Sequence, residues 1–139
     1  MIEGLSHLTF ITSNLPRFSE LMTEGFGARV VYDSGDEPFS LSRERFFELA
    51  GLWIAAMEGD PLATRSYNHV AFKIADSDFD AHVKKIEAMG FEVRPPRPRV
   101  EGEGRSIYFY DHDNHLFELH TGTLEARLSR YAMGREAAE

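Results

Sequence analysis

The heptad GLSHLTF at residues 4–10 returns in altered form as SYNHVAF at residues 66–72. Each places a histidine three residues before a phenylalanine in an apolar, β-prone run. An offset of 62 carries His7 onto His69 and Phe10 onto Phe72, and an offset of 63 lays HLFELHTG (115–122) on LWIAAMEG (52–59). Self-similarity at so long a period marks a duplicated supersecondary unit. The two heptads are therefore read as the first strands of two equivalent modules.

Between these anchors the elements follow one order. In the first module, residues 5–12 alternate as a strand, and Asn14 can cap a helix with Pro16 in its first turn. Leu15, Phe18, Leu21 and Met22 form the apolar stripe of that helix, which stops at Gly25 and Gly27. ARVVYD (28–33), RFFELA (45–50) and LWIAAM (52–57) read as strands, with a polar loop over 34–42 holding Gly35 and Pro38, and a linker over 58–65. In the second module, YNHVAFKI (67–74) is a strand, and Asp76 or Asp78 caps a helix carrying Phe79, Val83, Ile86 and Met89 up to Gly90. FEVR (91–94) is a short strand, residues 95–104 a Pro- and Gly-rich loop, and SIYFY (106–110) and HLFELHT (115–121) a hairpin across Asp111–Asn114. A last helix runs from Leu124 to Tyr131 into a frayed tail. The expected fold is α+β: two paired βαβββ modules, 4–58 and 66–122, and a C-terminal helix, 123–132, form one domain over residues 1–139. Their strands would make a cup-shaped sheet around a metal site.

Composition narrows the function. The chain has 139 residues and no cysteine, which excludes disulfides, thiolate metal sites and a cysteine nucleophile and suits a reducing cytoplasm. No basic-then-apolar leader follows Met1, and no apolar run approaches the ~20 residues of a membrane span. A net charge of −8 argues against a nucleic-acid partner, since phosphate neutralisation dominates such binding. A small anion held by local cations remains compatible with it.

Alternate side chains of a strand share a face. If the two first strands come together, His7 and His69 point into one concave space and supply two imidazoles for a divalent metal. Glu118 lies mid-strand between Phe117 and Leu119, where a carboxylate is costly unless paired. It is the natural third ligand, and its counterpart in the first module is Ala55, which leaves room for water or substrate. His120, on the same face as Glu118, and His115, at the strand start, are rival ligands. His82 on a helix and His112 in a turn are read as solvated.

The segments HLTF (7–10), NHVAF (68–72) and DHDNHLFELHTG (111–122), with their joint spacing, resemble the vicinal-oxygen-chelate superfamily of glyoxalase and bleomycin resistance proteins. Within it they are most similar to the fosfomycin resistance proteins, over about residues 4–131. The resemblance implies a homodimer with two metal sites, ligands at His7, His69 and Glu118, and Mn(II) in the branch that adds water rather than a thiol. That hydrolytic FosX-type branch carries a glutamate before the third strand, and Glu44 in PFSLSRERFFELA matches it, implying a catalytic base; Glu48 is the runner-up. Water is a poor nucleophile, so a carboxylate that removes its proton suits this chemistry. The resemblance also implies phosphonate contacts at Thr9, Tyr108 and Arg127, with Ser106 a weaker candidate. VRPPRPRVEGEGR gathers Arg94, Arg97, Arg99 and Arg105, Arg94 among them being a candidate for the anion, and Gly102 and Gly104 allow close backbone approach. The lysine and serine of the thiol-transferase loop are absent here, where arginines and Gly102 stand instead. The implied activity is metal-dependent hydrolysis of the fosfomycin epoxide to a diol. Its rivals are thiol transfer to fosfomycin, metal-free drug sequestration, and a dioxygenase on the same scaffold.

Overall fold

A computed structural model describes residues 1–37, 39–95 and 99–138, the side chains of 136–138 excepted. Pro38 and Arg97 lie outside the described residues. The chain divides into two compact units, residues 1–64 with 112–114, and residues 65–111 with 115–139. Among the described residues no helix is long and apolar enough to cross a membrane.

The first unit begins with strand β1 (His7–Thr12) and helix α1 (Leu15–Glu20), which continues as a π-helical turn over Leu21–Gly25. Asn14 caps α1 as expected: its side chain accepts from the Arg17 N–H at 3.0 Å, and Pro16 sits in the first turn. Strands β2 (Arg29–Asp33), β3 (Glu44–Leu49) and β4 (Leu52–Glu58) follow, and the sheet order is β1-β4-β3-β2, with β1 and β4 parallel. The β3–β4 hairpin closes through Ala50 and Gly51, both at positive φ, the conformation a two-residue primed turn demands. Leu15, Phe18, Leu21 and Met22 are buried, and the Phe18 ring lies 5.7 Å from Phe10 and 6.2 Å from Phe47. The helix thus covers the face carrying Phe10, Phe47 and Ile54.

The second unit holds β5 (His69–Lys73), a 3-10 turn (Asp76–Asp78), α2 (Phe79–Ala88), β6 (Ser106–Tyr110), β7 (Leu116–His120) and α3 (Leu124–Ala138). Its sheet order is β5-β7-β6, with β5 and β7 parallel. Phe109 and Phe117 are fully buried, their rings 5.9 Å apart, with Phe91 tilted against Phe109 at 5.2 Å and Ile86 of α2 also buried. Burying each such ring contributes roughly 1.5–3 kcal/mol.

Three elements differ from the sequence reading. FEVR is no strand; only Arg94 bridges to Tyr108. The reason lies in the helix cap. Gly90, at positive φ, and Phe91 return their N–H groups to Glu87 and Ile86, a paired closure that leaves no edge donor at Phe91, while Pro95 has none to give. Asp78 occupies the N-cap position of α2 but forms no side-chain capping bond, because a 3-10 turn precedes it. Finally, α3 runs past Tyr131 to Ala138, as the composition LEARLSRYAMGREAA, rich in good helix formers, allows.

Candidate active site

Residues paired across strands share a face. In the second unit the rows are His69–Leu116–Tyr110, Ala71–Glu118–Tyr108 and Lys73–His120–Ser106. His69, Glu118, Tyr108 and Ser106 therefore lie on one face, opposite the aromatic core. His115 falls on the other parity and is bound to Asp111 at 2.8 Å, which removes it as a rival ligand on this face.

Glu118 is 5 % exposed, and it organises the face. Its Oε1 stands 3.0 Å from His69 Nε2. Ser106 Oγ donates to Oε2 at 2.5 Å, and Arg99 Nη2 lies 3.6 Å from the same oxygen. The Tyr108 hydroxyl also donates to the carboxylate while accepting from Arg99 at 3.0 Å and Tyr67 at 3.3 Å. Burial by itself would raise the Glu118 carboxyl; the bonds from the Ser106 and Tyr108 hydroxyls, helped by the nearby His120 and His69 rings, outweigh it and hold the group below the usual range. Tyr108 is pushed up to about 12, first by burial, then by Tyr67 and the Glu118 charge. Burial lowers the His120 imidazole, Glu118 opposing and Arg127, Arg99 and Lys73 assisting.

The donor set fits a divalent metal. His69 Nδ1 is 2.7 Å from the Tyr67 carbonyl, which can only accept, so Nδ1 carries a hydrogen and Nε2 is the nitrogen turned to Glu118. Nε2 lies 3.0 Å from a carboxylate oxygen, a pair that a proton or a metal ion can bridge, and imidazole nitrogen and carboxylate oxygen are both metal-ligating atoms. An imidazole fixed through a backbone carbonyl beside an oriented carboxylate is the arrangement metal ligands adopt.

The first unit, by itself, carries the remaining candidates on one sheet face, in the rows His7–Trp53–Glu48, Thr9–Ala55–Phe46 and Ile11–Met57–Glu44. His7 is exposed, its ring tilted against that of Trp53 at 4.3 Å. Glu44 is the first residue of β3 rather than a loop charge and is only 7 % exposed. Its backbone bonds Ser34, but its carboxylate forms no hydrogen bond or ion pair among the described residues. The flanking arginines do not neutralise it: Arg45 binds Asp33 and Ser19, and Arg43 binds Gly35, Asp36 and Glu58. Glu48, by contrast, is tied to Arg29 at 3.3 Å and the Gly51 N–H at 2.6 Å, bonds that lower its pKa, the Gly51 bond most.

A profile of the Glyoxalase/Bleomycin resistance protein/Dioxygenase superfamily matches residues 4–119. The fosfomycin resistance protein FosX of Mesorhizobium japonicum is 60 % identical over 139 residues, the full length of both chains. The chain belongs to the FosX fosfomycin resistance proteins of that superfamily. A crystal structure of a point variant of FosX from Listeria monocytogenes, complexed with Mn(II) and 1S,2S-dihydroxypropylphosphonic acid, superposes with a TM-score of 0.87 at 53 % identity, covering 94 % of this chain and 99 % of that one. More distant is the metallothiol transferase FosB of Staphylococcus haemolyticus, 34 % identical over 94 % of this chain and 92 % of its own.

Within the chain the sequence-selected residues separate by position. His69, Glu118, Ser106 and Tyr108 converge, and Arg127 reaches the cluster through His120 at 3.4 Å. Arg94 does not: it is exposed, with its guanidinium 5.4 Å from the Tyr110 ring. The loop arginine at the cluster is Arg99, whose side chain is 10 % exposed and paired with the buried Glu103 at 3.4 Å. Sequence reasoning named Arg99 only as one of four, and no sequence signal sets it apart, since Arg97 has the same spacing to Glu101 that Arg99 has to Glu103. Arg105 turns instead to Asp76 at 3.0 Å. Gly104, at positive φ, meets the chain as anticipated: a Cβ there would lie 2.6 Å from the Gly122 nitrogen. His82 is half-buried, not solvated, and its Nδ1 has no hydrogen-bond partner among the described residues.

Proposed function

We propose that this chain is a Mn(II)-dependent hydrolase that opens the epoxide of fosfomycin with water and so inactivates the antibiotic. The observation that carries the reading is the His69–Glu118 pair, an imidazole nitrogen held 3.0 Å from a buried carboxylate on the polar face of the second unit. Support comes from the Listeria FosX structure, which holds Mn(II) and a dihydroxypropylphosphonate. A vicinal diol on a propylphosphonate is what water addition across a propylphosphonate epoxide gives.

His69, Glu118 and His7 would hold the metal, His7 by the equivalence of its strand position to that of His69. Bound there, Mn(II) supplies Lewis-acid stabilisation of the negative charge that develops on the epoxide oxygen. Glu44 takes the proton from the attacking water; its low exposure and its lack of a cationic partner among the described residues suit a carboxylate kept available as a base. Thr9, Tyr108 and Arg127 are the proposed phosphonate contacts; Ser106, the weaker candidate, gives its one hydroxyl hydrogen to Glu118 instead. Of the loop arginines, Arg99, beside Tyr108, fits that role better than Arg94. The chain would act as a homodimer in the cytoplasm, a state favoured by the exposed Leu124, Leu128 and Tyr131 along one stripe of α3.

Phosphorus NMR of enzyme, Mn(II) and fosfomycin without any thiol tests the reading. Diol should appear, and Glu44→Ala should lose turnover while still binding metal. No diol without thiol, with turnover restored by glutathione, would give the case to thiol transfer.

A further inference from the structure

The Glu118 carboxylate has two edges, and the second is held by a directed chain. Arg127 Nη2 lies 3.4 Å from His120 Nε2. A guanidinium only donates, so Nε2 accepts and the ring hydrogen is on Nδ1. His120 Nδ1 lies 2.7 Å from Ser106 Oγ and must donate to it. The single serine hydrogen is thereby turned to Glu118 Oε2 at 2.5 Å, leaving Oε1 to face His69 Nε2 at 3.0 Å. Ser106 and Glu118 are each 5 % exposed, so water competes little for these bonds. The backbone makes room for the ring: a Cβ at Gly122 would stand 2.7 Å from His120 Nε2 and 2.5 Å from the Glu103 carbonyl.

We infer that His120 is a positioning residue of the metal site: through Ser106 it fixes the Glu118 carboxylate so that Oε1 is presented beside His69 and Oε2 is withheld. The inference rests on the metal reading above. Outer partners of this kind orient a ligand and raise its affinity, and their loss costs about 10- to 100-fold in metal binding. His120 is then neither a ligand in its own right nor a solvated strand-end residue.

The test is Mn(II) binding by the full-length protein, followed from the six-line EPR signal of the free aquo ion. His120→Phe and Ser106→Ala should each weaken Mn(II) binding by about 10- to 100-fold. The double variant should be no weaker than the worse single one, because the two act in series. His120→Asn, whose amide N–H can replace the Nδ1 donor, should recover most of the affinity. Wild-type affinity in His120→Phe would overturn the inference, as would losses that multiply in the double variant. So would loss confined to His120→Phe with Ser106→Ala unaffected, the pattern of a direct ligand. Should His120→Phe fail to fold, Ser106→Ala and His120→Asn still decide, since neither adds bulk. A parallel His69→Ala arm separates the two claims: lost binding is expected, and unchanged binding would overturn the metal site itself and this relay with it.

Discussion

In the first unit the middle row of the sheet reads Thr9–Ala55–Phe46; in the second it reads Ala71–Glu118–Tyr108. The rows on either side match equally well. His7–Trp53–Glu48 answers to His69–Leu116–Tyr110, and Ile11–Met57–Glu44 to Lys73–His120–Ser106. One backbone register thus serves two chemistries. Where the second unit spends its central positions on a carboxylate and two hydroxyls that bind one another, the first keeps Ala55 and Phe46 apolar and leaves its carboxylate, Glu44, unpaired among the described residues. Duplication fixes where side chains can point, and substitution at a few rows separates a face of mutually bound polar groups from a face whose carboxylate is unpaired among the described residues.

The sharpest break in that contrast is Glu118→Ala, which gives the second face the residue of the first. Mn(II) binding and turnover should both be lost, measured by EPR titration and phosphorus NMR. Next is Glu44→Gln, which should lower turnover by ~10²–10⁴-fold, the worth of a general base, while Mn(II) affinity stays at the wild-type value. The helix-covered faces should, by contrast, behave alike. Phe47→Ala and Phe117→Ala remove fully buried rings and should each cost about 3–5 kcal/mol in denaturant unfolding. The mildest effect is pH-dependent. Asp113 is 2 % exposed; burial would raise its carboxyl, but the Ser13 N–H and the Thr12 and Ser13 hydroxyls hold it below its ordinary value of 3.8. Its stabilising contribution is therefore complete above pH 3.8 and declines as pH falls through the lower folded-state value. Asp113→Asn should flatten that acid limb of the stability curve, read by thermal melts from pH 5 to pH 2.

Much of this was legible in the residues. Asn14, Pro16 and the Leu15–Phe18–Leu21–Met22 stripe specify α1 locally, alternation specifies β1, and apolar β-prone runs specify β5, β6 and β7. The offset between repeats gave the Glu118–Ala55 correspondence that the strand registers now carry. What escaped was decided by competition for backbone groups or by tertiary proximity. FEVR has strand composition, but the helix cap consumes the Phe91 donor and Pro95 offers none. Arg94 and Arg99 look interchangeable in a proline-rich loop; only the approach of Glu103, Tyr108 and Glu118 to Arg99 separates them. His120 shows the same limit, since face parity places it beside Glu118 but cannot say that Ser106 stands between them.

The central claim is that the second unit's polar face holds a cation between His69 and Glu118. Anomalous diffraction at the manganese edge from crystals grown with Mn(II) tests it directly. One peak within bonding distance of His69 Nε2 and Glu118 Oε1 is the expected result. A peak elsewhere, with these two side chains still hydrogen-bonded to each other, would contradict it.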